Sequence, residues 1–275
     1  MDIRPFQLLL GLIGAGVISL LAYRFSLLTR SGALAAVGLG TVVFGLGGLR
    51  WAIVLLVFFL TSSGLSFLFR KRKGAAEEKY AKGATRDAWQ VVANGGVAGL
   101  AVIFHLIFPQ SPLAWVTFCA AFAAATADTW ATELGALSNT MPRLITTMKQ
   151  VEAGTSGAVS WLGMSAAILG SMAIGLAGAL FDPFAAEQSA RYVLTVITIG
   201  GIAGSLVDSW LGATLQGIYY CPECKKETEK SPVHSCGAAT ELLRGKRWLN
   251  NDRVNMLCTL SGALTSLLVI LFTGA

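Results

Sequence analysis

A chain of 275 residues that is 54% hydrophobic and only 13% charged is not an ordinary soluble domain. Its formal net charge of +6 calls for no nucleic-acid partner, because the basic residues fall in alternate loops between apolar runs. No GxxxxGK(S/T) loop, protein-kinase signature or GxSxG elbow occurs, and two His in the whole chain argue against the common serine and histidine hydrolase arrangements.

Apolar runs predict membrane helices over 6–23, 31–47, 50–69, 88–108, 112–138, 157–181, 191–218 and 254–273. Each is near the ~20 residues that cross ~30 Å of hydrocarbon. The second is weak, with glycines at 38, 40, 45, 47 and 48, so seven or eight spans are expected. The fold class is all-α, a polytopic bundle in which 31 glycines favour close helix approach. The first run is too long, and lacks the small-residue cleavage site, for a removed signal peptide. Residues 1–69 hold the first three spans and read as a scaffold, whereas 70–275 hold the polar residues and motifs described below, with a cytoplasmic loop at 219–250. Clusters at 24–30, 70–86, 143–149 and 225–253 hold every Lys and Arg except Arg4, Arg50 and Arg191. The positive-inside rule therefore predicts cytoplasmic basic loops and, for eight spans, both termini outside.

Polar residues recur at one depth of these spans. In KRKGAAEEKYAKGATRDAWQVVANGG (71–96), Asp87, Gln90 and Asn94 follow an i, i+3, i+7 spacing that places them on one helical face. Asp128 and Glu133 lie in the last third of the fifth span, and Asp208 and Gln216 in the cytoplasmic half of the seventh. RWLNNDRVN (247–255) brings Asn251, Asp252 and Asn255 into the eighth on one face. VEAGTSGAVS (151–160) sets Thr155 and Ser156 just before the sixth, either as a helix cap or, through free N–H groups at a helix N-terminus, as an anion site. A charge inside a span costs roughly 3 kcal/mol on insertion scales, so this one-sided set points to a reaction centre.

ATADTWATELGAL (125–137) and GSLVDSWLGATLQG (204–217) share Asp-(Thr/Ser)-Trp at a separation of 80 residues. The fifth and seventh spans run in the same direction. The similarity is either a parallel repeat, with Asp128 and Asp208 facing each other around one cation, or chance in Ala/Gly/Leu-rich sequence. Asp128 and Glu133 are about 140° apart on a straight helix. Both line a narrow pocket only if the helix breaks, for which Gly135 offers a place. Trp130 and Trp210 read as interfacial anchors or core packing.

CPECKKETEKSPVHSC (221–236) places Cys221, Cys224, His234 and Cys236 at CxxC…HxC spacing. Disulfides are not expected in a reducing cytoplasmic loop, and Cys₃His is a structural zinc set. The alternative is a polar loop with incidental thiols. Cys119 and Cys258 read as buried apolar residues.

Carboxylates, amides, an anion-binding loop and basic side chains at one membrane face suit phosphoryl transfer involving a lipid phosphate. Magnesium takes oxygen ligands from one or two carboxylates plus phosphate oxygens, and basic groups offset the transferring charge. A cytidylyltransferase or phosphatase acting on polyprenyl phosphates also fits, as does a transporter, since intramembrane acids mark ion paths too.

The ordered motifs KRKG…RDAWQVVANGG, ADTWATELGALS, VEAGTSGAVS, GSLVDSWLGATLQG and RWLNNDRVN, spread over 70–275, resemble the integral-membrane family that includes transmembrane protein 19 and the phytyl-phosphate kinases of tocopherol biosynthesis. The resemblance implies a kinase that uses a nucleoside triphosphate, CTP or ATP, to convert an isoprenyl monophosphate into the diphosphate. Joined to the residue reading, it makes Asp128 and Asp208 the first candidates for magnesium, with Glu133 and Asp252 next. Lys73, Lys82 and Arg86 would hold phosphate, with Asp87 on the same segment, and Thr155 and Ser156 would add loop N–H groups. Asn94, Gln216, Asn251 and Asn255 would position phosphate, metal or base. The expected partners are the lipid phosphate, the nucleotide and the membrane, with a second copy of the chain also allowed.

Overall fold

The computed structural model describes residues 5–69, 85–185 and 189–273. Among them are eight long helices: α1 (Pro5–Arg24), α2 (Arg30–Val42), α3 (Leu49–Phe69), α4 (Ala88–Ile107), α5 (Leu113–Gly135), α6 (Trp161–Leu180), α7 (Ala190–Thr214) and α8 (Asn251–Thr273). The glycine-rich end of α2 continues as a π-helical turn, Val43–Gly47. Seven of the eight, α2 with its turn included, are long and apolar enough to cross a membrane. The exception is α5, not the second span.

The reason is where α5 sits. It packs against α3, α4, α6, α7 and α8, and every side chain from Phe118 to Ala127 is buried. A helix surrounded by protein need not be apolar enough to face lipid, so α5 can carry Asp128 and Glu133. Small residues let its neighbours close in. A Cβ added to Gly204 of α7 would lie 2.5 Å from Ala124 Cβ and 2.6 Å from the Cys258 carbonyl. One at Gly200 would meet Ala120 Cβ at 3.3 Å. The pairs 120/200 and 124/204 keep the spacing of Asp128 and Asp208, so α5 and α7 run parallel with the two aspartates level.

Large side chains fill the other half of the bundle. Trp51, Trp115, Phe118 and Phe122 are nearly inaccessible, and Trp51 meets Trp115 and Phe118 edge-on at 5.1 and 4.7 Å between ring centroids. Trp115 Nε1 donates to the Gly178 carbonyl at 3.0 Å, so its polar atom is satisfied.

Three predicted spans overran their helices because their ends fold into connectors. β1 (Arg143–Leu144) pairs antiparallel with β2 (Ala158–Val159), so α6 starts only at Trp161, with Ser160 as its N-cap accepting from Gly163 N–H at 3.1 Å. Beyond α7, β3 (Ile218–Cys221) is the centre of a three-stranded antiparallel sheet ordered β4 (Lys226–Thr228), β3, β5 (Glu241–Arg244). The bundle is all-α as expected, and these short strands belong to the connectors. The α1–α2 connector joins the same end: Thr29 N–H donates to the Arg86 carbonyl and Arg86 N–H to that of Leu27, both at 2.9 Å.

Candidate functional site

A chamber of about 480 Å³ opens at the end of the bundle where these connectors gather. Its size is that of a small-molecule site, commonly ~300–1,000 Å³. Of the residues singled out in the sequence, Arg86, Asn94, Asp128, Glu133, Thr155, Ser156, Asp208, Gln216, Asn251 and Asn255 all line it. They come from α4, α5, α7, α8 and three connectors, and the parallel packing of α5 on α7 brings the distant segments together.

Asp128 and Asp208 face each other across the α5–α7 contact, close enough for their carboxyl groups to interact directly. Glu229 completes a carboxylate trio, its charge acting on both. Asp208 Oδ2 is buried and has no hydrogen-bond donor among the described residues. Glu133, also buried, accepts from Ser66 Oγ of α3 at 2.7 Å. α5 stays helical through Gly135. Asp128 and Glu133 line one chamber because it is wide and wraps the last turns of the helix, not because the helix breaks. Gly135 instead lets α6 approach, an added Cβ meeting Gly163 Cα at 3.3 Å.

Four residues depart from their expected places. Asp87 is not in the lining: it is the N-cap of α4, accepting from Gln90 N–H at 3.0 Å while the Gln90 side chain accepts from Asp87 N–H at 3.0 Å. Asp252 is likewise outside it, because successive helical residues point about 100° apart and Asn251 and Asn255, one turn apart, take the chamber face. Thr155 and Ser156 are not at a helix N-terminus, since β2 and Ser160 separate them from α6, and Thr155 N–H is already donated to the Glu152 carbonyl at 3.2 Å. The helix-dipole argument for an anion there therefore fails. Lys73 and Lys82 lie outside the described residues.

Gln216 has a role the sequence did not reveal. Only 2% exposed, it accepts from Ser156 Oγ at 2.9 Å and donates through Nε2 to Glu229 Oε1 at 2.9 Å. Arg244 fixes the same corner, its guanidinium donating to the carbonyls of Gly212 (2.9 Å), Ala213 (3.0 Å) and Ser156 (3.3 Å). These bonds satisfy carbonyls at the end of α7 and tie the 153–157 loop to it.

The lining is electrically one-sided. Asp128, Glu133, Asp208 and Glu229 face Arg86, the one basic residue in it among the described residues. Buried charges of one sign are normally paired or bound to a metal. Asp128, Asp208 and Glu229 present hard oxygen donors from three separate elements, a set that suits magnesium. Arg86, with its guanidinium carbon 5.5 Å from the Phe58 ring centroid, stands at the boundary with a second space of about 90 Å³. That groove is lined by Ile18, Leu28, Leu39, Leu55, Phe58 and Phe59, and it shares Arg86, Gln90 and Asn94 with the chamber. Trp89, Trp161, Trp210 and Trp248, all strongly exposed, lie near the α4, α6, α7 and α8 termini at this end, as side chains at a membrane–water boundary do.

The model of a family described as "Integral membrane protein DUF92" matches residues 13–263. Protein PGR of Arabidopsis thaliana is 32% identical over 288 residues, covering 98% of this chain and 97% of that protein. An uncharacterized membrane protein of Methanocaldococcus jannaschii is 31% identical over 253 residues, covering 92% and 90%. Protein VTE6, chloroplastic, of Arabidopsis thaliana is 24% identical over 250 residues, covering 88% of this chain and 65% of that protein. No solved structure matches the chain.

Proposed function

The chain belongs to the integral membrane protein DUF92 family, and from that premise we propose that it is a membrane kinase transferring a phosphoryl group from CTP or ATP to an isoprenyl monophosphate. The observation that carries this reading is the junction at Arg86: a polar, carboxylate-rich chamber meets an apolar groove, and Arg86, Gln90 and Asn94 belong to both. That junction suits a substrate with an anionic head and a hydrocarbon tail. The motif set resembling the phytyl-phosphate kinases supplies the tail's class. The groove takes the part of the tail next to the phosphate, and the rest lies between helices or in the bilayer.

Arg86 holds the acceptor phosphate at the mouth of the groove, with Asn94 beside it. Asn251 and Asn255 of α8 address the nucleotide phosphates. Asp128 and Asp208, with Glu229, are the residues that would hold magnesium, which when bound neutralises charge on the transferring group. A phosphate monoester is largely dianionic near neutral pH, its second pKa being about 6, so no strong general base is required of the chain. Its residues align donor and acceptor and screen their repulsion.

The chamber lies at the end bearing Arg24, Arg30, Arg86, Arg143 and Lys149, which the positive-inside rule assigns to the cytoplasm, where nucleoside triphosphates are. Transport is less well supported: a transport site sits near the midplane with access from both faces, whereas here the opposite half is packed by Trp51, Trp115, Phe118 and Phe122.

Thermal unfolding of the purified protein tests the binding half of this reading. CTP or ATP with magnesium, and separately farnesyl phosphate, should each raise the midpoint, by about 2.7 kcal/mol of stabilisation at a hundred times Kd. No shift with either triphosphate and magnesium at millimolar concentration would contradict a nucleotide-dependent kinase.

A further inference from the structure

Between α7 and α8, the connector that carries Glu229 has almost no core of its own. From Ile218 to Arg244 only Ile218, Cys221, Thr228 and His234 are buried. A segment of this size with so little apolar burial needs a staple. We propose that Cys221, Cys224, His234 and Cys236 bind one zinc ion, and that this zinc-folded lobe holds Glu229 at the Asp128–Asp208 pair.

The four ligand atoms lie within 4.8 Å of one another. Cys221 Sγ is 3.6 Å from Cys236 Sγ, while His234 Nδ1 is 3.5 Å from Cys224 Sγ and 3.2 Å from Cys236 Sγ. A tetrahedron with Zn–S of about 2.3 Å and Zn–N of about 2.0–2.1 Å has S···S edges near ~3.8 Å and S···N edges near ~3.6 Å. The observed separations approach those edges, and all five cysteines of the chain are free thiols. The two ligand-bearing turns are alike. In each, the residue after the second ligand has positive φ: Lys225 at 53° after Cys224, and Gly237 at 88° after Cys236. Such a conformation is uncommon for a lysine and persists where surrounding contacts impose it. Cys224 N–H also points to Cys221 Sγ at 3.5 Å, a donor that favours the thiolate a metal needs.

Glu229 follows β4 directly, between the two ligand pairs in sequence. The sheet β4–β3–β5 turns this stretch back toward the membrane, where Gln216 Nε2 donates to Glu229 Oε1 at 2.9 Å and Glu229 lines the chamber. The zinc lobe thus acts as a strap whose ordered form completes the carboxylate trio. Zinc does no chemistry here, since all four positions are filled by protein. Zinc binding is independent of the reaction assigned above, whereas the role of Glu229 rests on Asp128 and Asp208 holding a divalent cation.

Metal analysis of the full chain, purified without chelator or a histidine tag, should give about one zinc per chain, and none would overturn the zinc site whatever the enzyme's activity. Glu229→Gln should keep its zinc yet raise the magnesium concentration for half-maximal thermal stabilisation by about tenfold or more, since even an outer partner at a metal site is worth about that much. Cys221→Ser should lose zinc and raise that concentration as well. Where Cys221→Ser does not fold, wild-type protein stripped by a chelator and then refilled with ZnCl₂ takes its place, with magnesium affinity lost and regained. Unchanged magnesium dependence in Glu229→Gln, or in zinc-free protein, would overturn the strap while leaving the metal site standing.

Discussion

In the proposed reaction, Asp128 and Asp208 are the residues on which the chemistry turns. Both lie partly buried at the end of helices that otherwise pack alanine and glycine, and Asp208 Oδ2 is buried without a donor among the described residues. Asp128→Asn should leave a folded protein, because it removes one of four carboxylates crowded around one chamber. Turnover should fall by about 10²–10³ or more, the size of effect expected when a group stabilising transition-state charge is lost. Kinetics beside a thermal unfolding midpoint in detergent checks this, and near-normal phosphoryl transfer would make Asp128 structural. These aspartates were legible because a short pattern, Asp-(Thr/Ser)-Trp, occurs twice in apolar sequence. Glu229 was not. It sits in KKETEK, where two acids among three lysines look like any solvated loop charges, and only the fold of the connector takes Glu229 to Asp208. Ser66 was hidden similarly, as a hydroxyl in an apolar helix whose partner Glu133 is far away in sequence. Asp252 shows the opposite error: next to Asn251 in sequence, it was expected on the same face, yet Asn251 and Asn255 take the chamber lining without it.

At the scale of elements, the site depends on how tightly α7 and α8 approach α5. Gly204→Ala should destabilise the protein by about 1–3 kcal/mol, the usual cost of overpacking. The added Cβ would meet Ala124 Cβ at 2.5 Å and the Cys258 carbonyl at 2.6 Å, and neither is a flexible side-chain end. Gly64→Ala on α3 is the control, since nothing lies within 4 Å of its added Cβ. It should leave stability unchanged or improve it by up to about 1 kcal/mol, because alanine is the better helix former. Unfolding of both variants under one denaturing condition checks the contrast, and equal stability would mean that α5–α7 contact is looser than described. Helix positions were readable because an apolar run of the right length has few alternatives in a membrane. The helix ends expected at 138, 157 and 218 were not, because the chain there passes into connectors whose short strands pair with partners that no local period announces.

Across the whole molecule, apolar packing and polar chemistry are separated along the bundle axis. Aromatic side chains close one half, and the other opens into the carboxylate chamber among the basic connectors, with an apolar groove leading from Arg86 between α1, α2, α3 and α4. The overall class and the one-sidedness of the site could be read from hydropathy and charge alone. The groove could not, since its apolar lining comes mostly from α1, α2 and α3, which carry none of the quoted motifs and look in sequence like any lipid-facing surface. This division of space suits the proposed kinase for a lipid phosphate, whose substrate would have its tail held apart from water and its head beside carboxylates and an arginine. Mass analysis of the lipid products tests that most directly, after incubating purified protein with phytyl, farnesyl or geranylgeranyl monophosphate, MgCl₂ and either CTP or ATP. An isoprenyl diphosphate should form together with the nucleoside diphosphate, and neither should appear without magnesium or with Asp208→Asn. A free alcohol, a cytidine diphosphate lipid, or unchanged monophosphate with every acceptor in a folded, reconstituted protein would contradict the assignment.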